Sequence, residues 1–236
     1  MAEPIPKYAK YHVNTDTFVF RCPICLALTA PAHWTEGFAV ECVCKNTWIP
    51  ESMEIITNET DFVSTPIKGT ELLLGCGNNL DKQLAENGDN VWKDMVSLDM
   101  DAGCNPDVLW DLNHLPLPFE DESFEEIHAY EVLEHVGQQG DWKTFFDQFT
   151  EFHRILKPGG KFFGIVPTWD DAWAWGDPGH TRIINAGTLS FLYQEAYEDD
   201  VGKSTRTDYR HYYKADYEAE GIQETNGRLC FCLKRV

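Results

Sequence analysis

From residue 70 onward, short apolar runs alternate with turn residues and with one long amphipathic stretch. Glu71-Leu72-Leu73-Leu74 is apolar on both faces of an extended chain, so it reads as a strand buried in a parallel sheet. Gly75-Cys76-Gly77 follows directly. Two glycines there let the backbone turn sharply and approach a ligand that any Cβ would block. The pattern predicts a short helix over Asn79 to Asn87, with Leu80 and Leu84 on one face and free N–H groups turned back toward that ligand. Met95 to Asp101 reads as a second strand ending in acids, Asp107 to Leu112 as a short third and Glu126 to Glu131 as a fourth. Asp141 to Leu156 carries Phe145, Phe146, Phe149, Phe152 and Leu156 as an apolar stripe at helical spacing, and that stripe is core. Lys157-Pro158-Gly159-Gly160 stops the helix, and Lys161 to Val166 is a fifth strand. The tail reads as a strand, an Asn226-Gly227 hairpin turn and a closing strand from Arg228 to Val236, with Cys230 and Cys232 on one core face.

Strands alternating with helices imply an α/β, doubly wound parallel sheet, here ending in an antiparallel pair. Its ligands bind at the carboxyl ends of the strands. Those ends are Gly75–Gly77, Asp99, Asp111 and Glu131–His135, which puts separate stretches around one crevice. An acid at the end of the second strand suits a ribose diol, because a carboxylate accepts from two hydroxyls at once. Asp99 is the first choice and Asp101 the alternative; the plainer reading is that both cap a loop.

The first 60 residues differ in pattern. Residues 1–17 read as a polar arm, and two cysteine pairs then sit between strand-like residues: Cys22-x-x-Cys25 and Cys42-x-Cys44. Two tight turns that each present two thiolates fit one tetrahedral Zn²⁺, as in a zinc ribbon. Four protein ligands leave no open position, so the Zn²⁺ is structural, and it supplies folding energy to a module too small for its own core. His33 lies between the pairs as a weaker substitute ligand; four buried or oxidised cysteines are the alternative. The boundary to the main domain is expected near residue 60, giving 1–60 and 61–236.

The net charge of −20 opposes contact with phosphate backbones unless the few basic residues gather on one face. No run approaches the roughly 18 apolar residues of a membrane span, and no secretory signal is apparent. With half of the eight cysteines at metal spacing, a reducing, cytoplasmic setting is expected.

Five ordered motifs now form a series: Leu72-Leu-Leu-Gly75-Cys-Gly77-Asn, Val96-Ser-Leu-Asp99, Asp111-Leu112 running to Ser123-Phe124, Glu131-Val-Leu-Glu134-His135 and Arg154-Ile-Leu-Lys-Pro158-Gly-Gly160. The series resembles the class I S-adenosylmethionine-dependent methyltransferases, particularly the type-11 group, over roughly residues 70 to 166. The resemblance implies a Rossmann-like seven-stranded sheet ending in an antiparallel pair. It implies cofactor contacts along Gly75-Cys76-Gly77, ribose binding at Asp99 and adenine contacts at Asp111 and Leu112. It sets Glu131 to His135 beside the methionine end. One position departs: the family's usual acid two residues before the first glycine is Leu73 here, and Glu71 lies one step farther from the turn on the same face.

Methyl transfer from a sulfonium is an in-line displacement, so alignment and exclusion of water dominate, and a base matters only when the acceptor must lose a proton early. After the fifth strand come Trp169, Trp173 and Trp175, which suit stacking on a flat or cationic acceptor or, equally, a lid or dimer contact. His180 is the candidate base, with Asp170 and Asp171 behind it. No Asp/Asn-Pro-Pro-aromatic motif and no Pro-Cys follow the fourth strand, which disfavours chemistry on DNA bases. The order of zinc module and methyltransferase domain also resembles the large-subunit rRNA guanine methyltransferases. A basic cluster, Lys203, Arg206, Arg210, His211 and Lys214, suits a phosphate-bearing acceptor or simply a solvated face. Three readings follow: methyl transfer to a small molecule or a protein group, methyl transfer to RNA or a nucleotide, and a non-catalytic cofactor- or partner-binding protein.

Overall fold

The computed structural model describes residues 69–236 in full and, before them, the backbone of the strands between Tyr8 and Ile56. The chain divides into two compact units, Met1–Pro66 and Ile67–Val236. In the first unit, β1 (Tyr8–His12) pairs antiparallel with β2 (Thr17–Arg21) and parallel with β6 (Ser52–Ile56), and β2 also carries β3 (Leu28–Thr29). β4 (Val40–Glu41) and β5 (Thr47–Trp48) form a separate antiparallel pair. Cys22, Cys25, Cys42, Cys44 and His33 lie outside the described residues.

The second unit is built on a seven-stranded sheet. Its strands are β7 (Glu71–Leu74), β8 (Met95–Asp99), β9 (Val108–Leu109), β10 (Phe124–Tyr130), β11 (Leu156–Pro167), β12 (Tyr217–Thr225) and β13 (Arg228–Arg235). The order is β12-β13-β11-β10-β7-β8-β9. β13 runs antiparallel to both β11 and β12, and β7 through β11 pair in parallel. The chain leaves β7 toward β8 on one side and later returns to place β10 on the other. That reversal opens a crevice over the carboxyl ends of β7 and β10, where open α/β sheets bind ligands. The expected antiparallel closing pair is present, turned at Asn226-Gly227.

Alternation along the strands separates two faces. Leu72, Leu74, Val96, Leu98, Ile127 and Phe162 face one side. There they meet α1 (Trp142–Ile155), whose Phe145, Phe149 and Phe152 form the expected stripe. Each such ring contributes roughly 1.5–3 kcal/mol through burial. Asp141 caps α1 by accepting from the Thr144 N–H. Leu189 of α3 (Ala186–Leu189) and Leu192 join the same core.

The opposite face departs from a doubly wound sheet. Leu73, Tyr130 and Ile165 are covered by Leu84 and Trp92, which belong to a non-helical stretch. The helix expected over Asn79 to Asn87 does not form. Its backbone takes side-chain partners instead: the Tyr130 hydroxyl accepts from the N–H groups of Gln83 and Leu84 at 3.3 and 3.2 Å, and Trp92 Nε1 donates to the Leu80 carbonyl at 2.5 Å. Lys82, buried, donates to Glu71 and Glu126 at 2.6 Å each. Tertiary pairing of that ammonium with two carboxylates accompanies the non-helical path and overrides local propensity.

Candidate functional site

The glycine turn at the end of β7 is shaped by two different demands. Gly75 has φ +57, and a Cβ there would lie 2.2 Å from Cγ2 of Val132, so the turn sits directly against the end of β10. Gly77 has φ +50, and a Cβ there would meet nothing within 4 Å, so open space lies above it. Asp99 ties the turn down: its Oδ2 accepts from the Gly77 N–H at 2.8 Å, and its Oδ1 accepts from the Asp101 N–H at 2.8 Å. Each carboxylate oxygen keeps a further lone pair. Asp101 is committed elsewhere, capping the turn at Ala102–Cys104. Cys76 is buried, and burial followed by the charge of Asp99 pushes its thiol up to about 11, so it stays protonated and inert.

Leu112 is buried in the core, and Asp111 is partly exposed, with Oδ1 accepting from the Asn113 N–H at 2.9 Å. Glu71 is fully committed: Oε1 takes Lys82 and Oε2 accepts from the Lys93 N–H at 2.7 Å. It therefore does not stand in for the acid missing at Leu73.

Beyond the end of β10 lies a cavity of about 720 Å³. Its lining includes Glu131, Glu134, His135, Asp171, Trp173, Asp177, His180 and Arg228. Glu131 adopts a left-handed φ of 53, an uncommon state for a side-chain-bearing residue, and its Oε1 pairs with Arg228 Nε at 2.8 Å. Glu134, on the short turn Leu133–His135, is 2% exposed, and neither carboxylate oxygen has a hydrogen-bond partner. Burial pushes its carboxyl up to about 8, with Glu131 adding to the rise. Arg182 is buried nearby, but its Nε donates to the Leu133 carbonyl and its Nη2 to Gln148 Oε1, both at 2.8 Å. Burial lowers that guanidinium to about 10.

Of the three residues expected to act in chemistry, His180 and Asp171 reach this cavity and Asp170 does not. Asp170 borders a second, smaller cavity of about 290 Å³, while its neighbour Asp171 lines both. Asp171 also caps α2 (Ala172–Gly176), accepting from the Trp173 N–H. Trp173 lines the large cavity at 71% exposure; Trp169 and Trp175 stand outside it at 58% and 72%. Cys230, expected in the core, is only partly buried and lines the cavity. The basic cluster is largely spent internally: Arg206 pairs with Asp200 and Arg210 with Asp208. The resemblance set Glu131 to His135 beside the methionine end; the Glu-x-x-Glu-His spacing was visible, but the approach of His180 from 45 residues downstream was not.

No curated protein matches this sequence. Among solved structures, an S-adenosylmethionine-dependent methyltransferase from Mesorhizobium loti aligns at 17% identity and TM-score 0.43, covering 72% of this chain and 93% of that one. The complex between the Haloferax volcanii Trm112 methyltransferase activator and a methyltransferase aligns at 18% and 0.43, covering 72% and 84%. Geranyl diphosphate C-methyltransferase from Streptomyces coelicolor A3(2), in complex with Mg²⁺, a geranyl thiolodiphosphate and S-adenosyl-L-homocysteine, aligns at 13% and 0.43, covering 72% and 70%. The firmer finding is in the sequence: residues 72–164, which run from β7 into β11 and build the crevice, match the family described as a methyltransferase domain.

Proposed function

We propose that this chain is an S-adenosylmethionine-dependent methyltransferase acting on a small-molecule or protein acceptor. The observation that carries this reading is the packing of the Gly75–Gly77 turn, tied by Asp99, against the strand end that opens into the large cavity. When bound, the sulfonium supplies an electrophilic methyl group. Gly77 leaves room for the cofactor's close approach, Asp99 offers its free lone pairs to the ribose, and Asp111 and Leu112 border the adenine. Glu131 replaces the acid missing at Leu73 as partner for the amino group. The cavity then positions the acceptor and excludes water. Its lining sets Glu131, Asp171 and Asp177 against one arginine. Neutral or cationic acceptors therefore suit it better than phosphate-bearing ones.

In the first unit, Cys22, Cys25, Cys42 and Cys44 hold one structural Zn²⁺. The spacing supports this, as does the sequence position of each pair between the strands of an antiparallel couple, β2–β3 and β4–β5. The division into two compact units supports a domain boundary near residue 60.

Calorimetric titration with S-adenosylmethionine and S-adenosylhomocysteine tests the cofactor reading. Wild type is expected to bind both at micromolar levels. Asp99→Ala loses at least tenfold, and Asp99→Asn, which can still accept from Gly77, loses less. Absence of binding to wild type overturns the reading.

A further inference from the structure

Glu134, His135 and His180 each offer one ligand atom, and these atoms all lie within 4.8 Å of one another. A second observation points independently to a cation. Both oxygens of the Glu134 carboxylate are buried and unpartnered, although the residue lines the cavity. A buried carboxyl group, neutral or ionised, is costly without a partner, and nearby Arg182 gives it none: Nε is turned to Leu133, Nη2 to Gln148, and Nη1 makes no hydrogen bond.

The histidine tautomers agree with a ligand role. His135 Nδ1 lies 3.2 Å from the Gly179 carbonyl and His180 Nδ1 lies 3.4 Å from the Ala174 carbonyl. A carbonyl only accepts, so each Nδ1 carries the proton and each Nε2 keeps its lone pair. Histidines that bind metals are held in this way, through the ring nitrogen away from the ion. His180 Nε2 is 3.9 Å from Glu134 Oε1, too long for a hydrogen bond. Two donors about 2.1 Å from one ion span at most about 4.2 Å, so the widest separation in the cluster closes by roughly half an ångström on binding.

We propose that Glu134, His135 and His180 bind one divalent first-row metal ion, with coordination positions left open to the large cavity. Two imidazoles and one carboxylate form a mixed nitrogen and oxygen set suited to Mn²⁺, Fe²⁺, Co²⁺ or Zn²⁺, and three protein ligands are what an open site keeps. The open positions would take the oxygen of a hydroxyl and lower its pKa. The proton would pass to cavity water, the oxygen would form a bond to the methyl carbon as the sulfonium S–CH3 bond breaks, and S-adenosylhomocysteine would leave. The acceptor class is therefore a hydroxyl-bearing compound, a conclusion that rests on the methyltransferase reading. His180 is a ligand in this account and not a general base.

The test uses the full chain, with the cysteine module loaded with Zn²⁺ and excess metal removed. Mn²⁺ is titrated and the free ion followed by electron paramagnetic resonance; thiolates favour Zn²⁺ over Mn²⁺, so the signal reports the second unit. Wild type is expected to bind one Mn²⁺ per chain at micromolar levels. Glu134→Gln and His180→Ala, with thermal unfolding recorded beside them, each weaken that binding at least tenfold. Failure of wild type to bind Mn²⁺ below millimolar levels overturns the proposal, as does equal binding by a folded variant. Mn²⁺ binding without cofactor binding keeps the metal site and removes the methyltransferase reading; the reverse result does the opposite.

Discussion

Lys82 is the residue on which the second face of the sheet depends. Its ammonium lies between Glu71 and Glu126, with the lysine and Glu71 side chains 3% and 1% exposed. Removing one partner of a buried pair costs far more than the pair contributes, because the other charge is stranded. Lys82→Met is therefore expected to destabilise the domain by about 3–5 kcal/mol in urea unfolding. A loss below about 1 kcal/mol, the size of an exposed pair, would show that the network does not hold the segment. His128 extends the same network. Its Nε2 lies 3.0 Å from Glu126 Oε2 and its Nδ1 2.6 Å from the Tyr130 hydroxyl. Burial, with Lys82 adding to it, lowers His128 below 6.5, whereas the hydrogen bond from His128 first, and Lys82 next, hold Glu126 down to about 2. Both shifts are downward. The His128 contribution is complete above 6.5 and is lost as pH falls toward its folded value. The Glu126 contribution is complete above 4.5 and is lost as pH falls toward 2. Stability measured in urea should fall as pH is lowered through 6.5. His128→Phe, which keeps an aromatic ring against Phe163, should flatten that slope, leaving the share of His153, also lowered by burial.

At the scale of elements, α1 was the most legible part of the chain. Its phenylalanines recur at helical spacing, an acid stands at its start, and a Lys-Pro-Gly-Gly run stands at its end, so periodicity and both boundaries agree. Phe149 is fully buried against Phe162 and Tyr217. Phe149→Ala is expected to cost about 3–5 kcal/mol, and Asp141→Ala, which removes only the cap, about 1 kcal/mol; thermal unfolding monitored by circular dichroism separates the two. The stretch from Asn79 to Asn87 was the least legible. Leu80 and Leu84 have helical spacing, but Lys82 between them is drawn onto the sheet by acids 11 and 44 residues away. A local pattern holds no information about partners so remote.

For the whole molecule, charge is the dominant feature. A net charge of −20 on one chain implies self-repulsion in the folded state. Raising salt from about 0.01 M to about 0.1 M shortens the Debye length from about 30 Å to about 10 Å, so the unfolding temperature should rise over that range. A flat or falling temperature would mean that the acids are neutralised locally. The same charge bears on acceptors. Arg206 and Arg210, which in the sequence looked like a site for phosphate, are paired with acids at 2.7 and 2.8 Å. Weak, salt-sensitive association with RNA is the expected result of a binding titration.

The sequence by itself determined the strands β7 to β11, the helix between the last two of them, the hairpin at Asn226-Gly227 and the glycine turn with Asp99 beside it. Each is written in residues close together: apolar runs, a helical stripe, turn residues and an acid at a strand end. Tertiary structure alone decided that a non-helical stretch, through Leu84 and Trp92, covers Leu73, Tyr130 and Ile165 on the second face of the sheet, that Glu71 serves Lys82 instead of the crevice, and that Asp170 stands apart while Asp171 and Cys230 line the cavity. It also decided that Glu134, His135 and His180 converge. Those outcomes depend on charge burial and on packing between segments tens of residues apart, where the cost of a stranded buried charge exceeds any local preference.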